Sequence, residues 1–247
     1  MLFALYADDL AARVRALRPS RVLETAAGTG IVTRRLAETL PEATQITATD
    51  FNQTMIDTAA AKITSPGITW QSCDATQLPF ADATFHCVLC QFGVMFCPAK
   101  VDAFKEARRV LKPGGTFLFS VWDKIEFSPI SNTISDAVAA LYPADPPNFL
   151  RRTPFGHHDV TIIRNLLGEA RFANIESFAV TLPSVCPTPR DAAVGQCHGS
   201  PLRSDIEARD PNGLDAATDA TAAALAAHFG EGPIKSTMQA IVFTAGG

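Results

Sequence analysis

The stretch RVLETAAGTGIVT, Arg21–Thr33, places two glycines between a short apolar run and a helix-like segment. Gly28-Thr29-Gly30 falls one glycine short of the dinucleotide fingerprint, because Thr33 stands where a third would be. Glu24 lies just ahead of the turn. A carboxylate there repels a pyrophosphate and suits an ammonium group, so it argues against a dinucleotide. By itself a Gly-x-Gly pair also fits a simple tight turn, and the surrounding chain has to decide.

Outward from this turn, apolar runs alternate with helical patterns. Strands are expected at Val22–Thr25, Gln45–Thr49, Thr69–Cys73, Cys87–Phe92 and Thr116–Trp122. Helices are expected at Asp9–Leu17, Val32–Leu40, Gln53–Ile63 and Lys100–Leu111, the last closed by Lys112-Pro113-Gly114-Gly115. This alternation predicts an α/β fold, a doubly wound parallel sheet with helices on both faces. A helix follows at His158–Ala170, capped near Asp159, with Ile162, Ile163, Leu166 and Leu167 toward the sheet. Strands at Ile175–Leu182 and Thr237–Thr244 then form an antiparallel edge hairpin and bring the sheet to seven strands. The segment 183–232 is too long for a structureless loop and carries an alanine-rich helix, Leu214–Phe229. It is expected to form a helical cap with the proline-rich connector 123–155, over a cofactor-binding core of about residues 10–122 within a single domain.

Composition narrows the partners. The 247 residues are 47% hydrophobic and 19% charged, and 21 Lys+Arg against 25 Asp+Glu give a net charge of −4. There is no run of five basic residues, so the electrostatic footprint of a nucleic-acid binder is missing and a small-molecule partner is expected. The longest mostly apolar run, Phe85–Cys97, has 13 residues, short of the roughly 20 that cross a bilayer. The N-terminus has no basic leader and reaches Asp8 and Asp9 early, which makes a cytoplasmic location the expectation. Cys87 and Cys90 sit at an odd offset on a strand and so face opposite sides, and the six cysteines are expected to be reduced thiols with no metal site.

Two more acids end strands in the same half of the chain. Asp50 follows the second strand, 20 residues after Gly30, where a carboxylate accepts from both hydroxyls of a ribose. Asp74 follows the third, where its carboxylate suits an adenine amino group while the Ala75 N–H reaches a ring nitrogen. Ribose, adenine and a cationic amino-acid tail together describe S-adenosylmethionine.

The chain thus resembles the class I S-adenosylmethionine-dependent methyltransferases, in particular the group similar to the ubiquinone and menaquinone methyltransferases. The family's first motif, acid-x-Gly-x-Gly-x-Gly, corresponds to Glu24–Gly30, with Ala26 at its first glycine. The second-strand acid corresponds to Asp50 and the adenine-side acid to Asp74. The stretches LPFADATFHCVLCQFGVMF and EARRVLKPGGTFLFSVWD resemble the fourth strand and the helix–turn–strand after it. The resemblance implies a Rossmann-like fold and a product, S-adenosylhomocysteine. It implies that Glu24 holds the ammonium, that Ala26, Gly28 and Gly30 shape the backbone beside methionine and ribose, and that Asp50 binds the ribose hydroxyls. Phe51 and Met55 would pack near the adenosine, Asp74 and Ala75 bind adenine, and Gln91 with Phe92 wall the methyl-donor end. A methyl group at Ala26 requires a negative φ there.

No catalytic group is dictated by the pattern. Methyl transfer from a sulfonium is an in-line displacement for which alignment can suffice, whereas an oxygen or carbon acceptor also needs a base. Candidates for that base are His157 and His158, His198 in the cap, and Tyr6. Arg151, Arg152 and Arg203 are candidates for an anionic acceptor, Phe92, Phe96, Phe149 and Phe155 for an apolar one, and Cys73, Cys186 and Cys197 for a thiophilic one. The expected function is methyl transfer to a small organic acceptor, at oxygen or carbon, with an NAD-dependent oxidoreductase and a non-catalytic scaffold as rivals.

Overall fold

Each apolar run is bounded by a breaker, and each becomes one element of the computed structural model, which describes residues 3–247. The first half contains α1 (Ala4–Leu17), β1 (Arg21–Glu24), α2 (Ile31–Thr39), β2 (Gln45–Asp50), α3 (Gln53–Lys62), β3 (Ile68–Ser72), β4 (Phe85–Gln91), α4 (Lys100–Val110) and β5 (Leu111–Trp122). The second contains α5 (Pro129–Leu141), α6 (Phe149–Arg152), α7 (Val160–Glu169), β6 (Ile175–Cys186), α8 (Pro189–Cys197), α9 (Leu202–Glu207), α10 (Leu214–Phe229) and β7 (Ile234–Gly246).

The seven strands form one sheet in the order β3-β2-β1-β4-β5-β7-β6. The first five are parallel, and β7 runs antiparallel between β5 and β6. From β1 the chain winds outward through β2 and β3, then returns to place β4 on the other side of β1. The strand order therefore reverses between β1 and β4, where loops leave in opposite directions and open a crevice. On one face Leu10, Val14 and Leu36 pack with Val22, Ile46, Leu89 and Leu118. On the other, Phe104, Val110, Ile163 and Leu167 cover Val88, Phe117, Phe119 and Phe243.

Several boundaries differ from the sequence reading: α1 starts at Ala4 rather than Asp9, and β7 runs over Ile234–Gly246 rather than Thr237–Thr244. Strand β6 continues through Pro183 to Cys186, so the inserted helical segment begins later than residue 183. A proline lacks only its own N–H, and an edge strand tolerates that loss. Strand β5 begins at Leu111, opposite Phe85, and the ladder resumes only at Thr116 opposite Cys87, so Lys112–Gly115 bulge out of it. The buried face of α7 is Ile163 and Leu167, while Ile162 is 54% exposed, and His158 lies outside the helix. The cap of α7 is Asp159, whose Oδ1 accepts from the N–H groups of Thr161 and Ile162 at 2.8 and 3.1 Å. Asp159→Ala is expected to cost about 1 kcal/mol in urea unfolding, the worth of an N-cap.

The connectors gather at one end. Strand β6 runs parallel to β5, so α5 and α8 both start at the carboxyl end of the sheet, where α10 also delivers the chain into β7. The β6–β7 hairpin runs six residues, Ile234–Gln239, past the Trp122–Ala240 pair that ends β5, about 20 Å of strand. Helix α10 packs on α5 and α8. Asp205 accepts from the N–H groups of Asn148 and Phe149 at 2.9 and 2.8 Å, and Arg209 pairs with Asp145, which ties the two connectors together. Among the described residues no helix is long and apolar enough to cross a membrane.

Candidate functional site

The sheet register places the strand-ending acids in a staircase. Glu24 on β1 lies opposite Ala48 on β2, two residues short of Asp50. Asp50 lies opposite Ser72 on β3, two short of Asp74. Gln91 ends β4 two residues beyond Leu89, the partner of Glu24. With strands about 4.8 Å apart and a rise of about 3.3 Å per residue, each step is roughly 8 Å. Three carboxyl groups so spaced along a crevice match an elongated ligand with donors at three separate points.

Glu24 is 1% exposed, and the Thr33 hydroxyl donates to its Oε2 at 2.6 Å. Burial pushes its pKa up to about 8, the Thr33 hydrogen bond works against that shift, and the neighbouring Asp50 adds to it. A buried carboxyl group in this state gains most from a cation brought beside it. Thr33 had been read only as a missing third glycine. Its position nine residues after Glu24, on the first turn of α2, is the signal that pairs the two.

Asp50 organises the loop. Its Oδ2 accepts from the Gly28 N–H at 2.9 Å and its Oδ1 from the Asn52 N–H at 2.9 Å, so each oxygen keeps a further lone pair. The Asp74 Oδ1 is taken by the N–H and hydroxyl of Thr76, both at 2.8 Å, in an Asx turn. Phe51 is 79% exposed beside Asp50, Met55 on α3 is exposed too, and Ala75 is half-buried. The Gln91 Oε1 is buried without a hydrogen-bond partner.

The two glycines do different work. Gly28 has φ +55° and nothing within 4 Å of where a Cβ would stand, so its backbone faces open space at the crevice. Gly30, at φ +80°, would drive a Cβ to 2.5 Å from Ile63 Cδ1 and 2.9 Å from Trp70, so it serves the packing of α2 against α3 and β3. Ala26 contradicts the expectation of a negative φ: it sits at +54°. The loop is pinned on both sides, Thr25 N–H donating to Leu89 O and Ala27 N–H to Thr49 O, each at 2.9 Å, and only a left-handed residue joins those bonds. Gly93 makes room, since a Cβ there would lie 2.4 Å from that of Ala26. Ala26→Gly relieves about 1–2 kcal/mol of left-handed strain against about 0.5–1 kcal/mol of added chain entropy. A small net stabilisation, read as a Tm higher by about 1–3 °C, is expected.

Phe92, just after β4, is also left-handed, at φ +54°. Its ring stacks on Trp122 at 3.7 Å, with Tyr6 edge-on to both and Phe155 beyond Trp122 at 6.1 Å. Tyr6 is removed as a base. It is 3% exposed, its hydroxyl donates to Met238 O at 2.5 Å, and burial drives its pKa further up. Of the histidines, His198 at the end of α8 lies 3.1 Å through Nε2 from the Thr218 hydroxyl on α10, and the Nδ1 of His158 lies 2.7 Å from Phe155 O. The Nε2 of His157 is buried with no partner. Arg151 is engaged by Glu126 and Asp136, and Arg203 by Glu207. Phe149 and Phe155 are core residues and Phe96 is 52% exposed. All six cysteines are free thiols, with Cys87 and Cys90 in the cores on opposite faces. Among the described residues no three His, Cys, Asp or Glu side chains are grouped to hold a metal.

Comparison with known proteins follows the same residues. A family described as "Methyltransferase domain" matches residues 22–115. The ubiquinone/menaquinone biosynthesis C-methyltransferase UbiE of Haemophilus ducreyi is 36% identical over 115 residues, 45% of this chain and 44% of that protein. The corresponding UbiE of Klebsiella pneumoniae is 27% identical over 177 residues, 66% of this chain and 70% of that protein. Among solved structures, phosphoethanolamine N-methyltransferase 2 of Haemonchus contortus in complex with S-adenosyl-L-methionine superposes with a TM-score of 0.57 at 18% identity, covering 96% of this chain and 52% of that one.

Proposed function

We propose that this chain, whose residues 22–115 match a methyltransferase-domain family, is a class I S-adenosylmethionine-dependent methyltransferase that transfers the donor's methyl group to oxygen or carbon of a small organic acceptor beneath the helical cap. The observation that carries the reading is the acid staircase, with a buried Glu24 that gains from a cation and an Asp50 that keeps free lone pairs on both oxygens.

Glu24 would hold the ammonium, with Thr33 fixing the carboxyl group in place. Asp50 would accept from the ribose hydroxyls while it keeps the Gly28 loop in register. Asp74, with one oxygen committed to Thr76, offers the other to the adenine amino group, and Ala75 offers its N–H. Phe51 and Met55 present apolar surface for the adenosine, and Ala26, Gly28 and Gly30 shape the loop beside methionine and ribose. Gln91 and Phe92 would stand at the methyl end, Gln91 with an unmatched acceptor. When bound, S-adenosylmethionine supplies an electrophilic methyl whose leaving group is a neutral thioether. The chain's remaining task is alignment of the acceptor and exclusion of water, which the helices gathered at the carboxyl end of the sheet would perform. The two relatives are named C-methyltransferases, which supports carbon as one of the two acceptor atoms.

Thermal unfolding tests the donor assignment against the oxidoreductase reading. S-adenosylhomocysteine at 100 times its Kd is expected to add about 2.7 kcal/mol of stability and NAD none. A shift produced by NAD and not by S-adenosylhomocysteine would reverse the assignment.

A further inference from the structure

A cleft opens at the amino end of the sheet, the end opposite the acid staircase, where α4 turns into β5. It encloses about 420 Å³, and its walls include Asp82, Arg108, Arg109, Leu111, Pro113 and Gly114. The two arginines differ in what they bond to. Arg109 uses all five of its N–H groups, on both carboxylate oxygens of Glu106, on Asp82 Oδ1 and on the carbonyls of Phe80 and Leu78, at 2.7–2.9 Å. It thereby neutralises Asp82 and rivets the loop ahead of β4 to α4. Arg108 has no such partners. Its Nε is out of solvent and bonds to nothing, and among the described residues no acid pairs with its guanidinium.

The surroundings suit a negative group. At the end of α4 the carbonyls of Arg109 and Val110, whose dipoles would repel an anion, accept from the N–H groups of Ala83 and Thr84 at 3.0 and 2.8 Å. Lys112, whose Nζ lies 3.3 Å from His86 Nε2, adds a charge with no acid partner among the described residues. Gly114, at φ +76° with nothing within 4 Å of where a Cβ would stand, leaves the backbone of the turn open to the cleft. Leu111 and Pro113 supply an apolar wall. The volume is that of a site for a small organic ligand, about 300–1,000 Å³, rather than for a bare ion.

We propose that this cleft is a second ligand site, for a small organic molecule that carries one oxyanion group, a phosphate or a carboxylate. The guanidinium fork of Arg108 holds the oxyanion, and the body of the ligand lies against Leu111 and Pro113. The site is separate from the donor crevice and does not depend on the methyl-transfer reading.

Phenyl phosphate and benzoate present the two oxyanions on the same body, and calorimetric titration of each at about 0.15 M salt is the test. At least one is expected to bind at one site per chain, about tenfold more tightly than its control without a ring, orthophosphate or acetate. Arg108→Gln is expected to weaken that binding by about 10- to 100-fold, and Arg108→Lys, which keeps the charge but not the fork, to recover only part of the loss. Lys62→Gln removes one exposed charge from the same end of the sheet and is expected to change it by less than about twofold. Urea unfolding of each variant is expected to match the native protein, since Arg108 bonds to nothing. No saturable binding of either anion, binding unchanged in Arg108→Gln, or an equal loss in Lys62→Gln would overturn the assignment. So would controls that bind as tightly as the aromatic anions.

Discussion

Asp50→Ala is expected to weaken S-adenosylhomocysteine binding by at least about 100-fold while the protein remains folded. Two hydrogen bonds from ribose hydroxyls to a carboxylate are lost, each worth about 1.5–3 kcal/mol, and about 2.7 kcal/mol already corresponds to 100-fold. The same carboxylate receives the Gly28 and Asn52 N–H groups, so the substitution also frees the loop that lies against the ligand. Both N–H groups lie at a half-exposed edge, where water replaces the lost acceptor, and the stability loss is expected to be about 1 kcal/mol. Titration calorimetry and urea unfolding on the same preparation separate the two effects. Affinity within threefold of the native value would remove Asp50 from the site.

Glu24→Gln is expected to reduce the same affinity by about 30- to 300-fold, because a charge-assisted pair with an ammonium is replaced by a neutral amide contact. Its effect on stability has the opposite sign. The folded state holds the Glu24 proton up to about 8, above the ordinary 4.5. The folded chain thus binds more protons than the unfolded one between those values, and stability is withdrawn as the pH rises through that window. A glutamine carries no such penalty, so the variant is expected to equal or exceed the native protein in stability near pH 8. Ligand binding follows the reverse trend: the ammonium needs the carboxylate, so native affinity is expected to rise with pH from about 6 toward 8, with a proton released on binding. That slope is expected to vanish in Glu24→Gln. A pH-independent native affinity would show that Glu24 is not the ammonium partner.

The residues most legible in the sequence are those whose placement follows from ending a strand. Glu24, Asp50 and Asp74 each follow a short β-branched or apolar run, and a parallel sheet must bring such residues to one edge. Their partners were hidden, because Thr33, Asn52 and Thr76 act through bonds that exist only once the loops close. The left-handed Ala26 was misread for the same reason: bonds from Thr25 and Ala27 to two different strands dictate its φ, and no local rule favours an alanine there. The glycine that makes it possible, Gly93, lies in another loop. Proline misled twice in the second half. Pro129 starts α5 at a position that needs no N–H, where a connector had been expected, and Pro183 sits inside an edge strand that had been ended before it. On α7 the sheet takes Ile163, Leu166 and Leu167 as the pattern expects, and only Ile162, at the margin of that stripe, turns to solvent. Candidate bases could not be ranked from sequence, since only packing separates a histidine bonded through its ring from one whose nitrogen is buried and free.

Titration calorimetry of S-adenosylhomocysteine into the folded protein, repeated in buffers of different ionisation heat, tests whether this crevice binds a nucleoside with a cationic amino-acid tail. Saturable binding at one site per chain with release of a proton is the expected result, as is its loss in Asp50→Ala. Absence of binding by protein whose circular dichroism shows the α/β fold would contradict it.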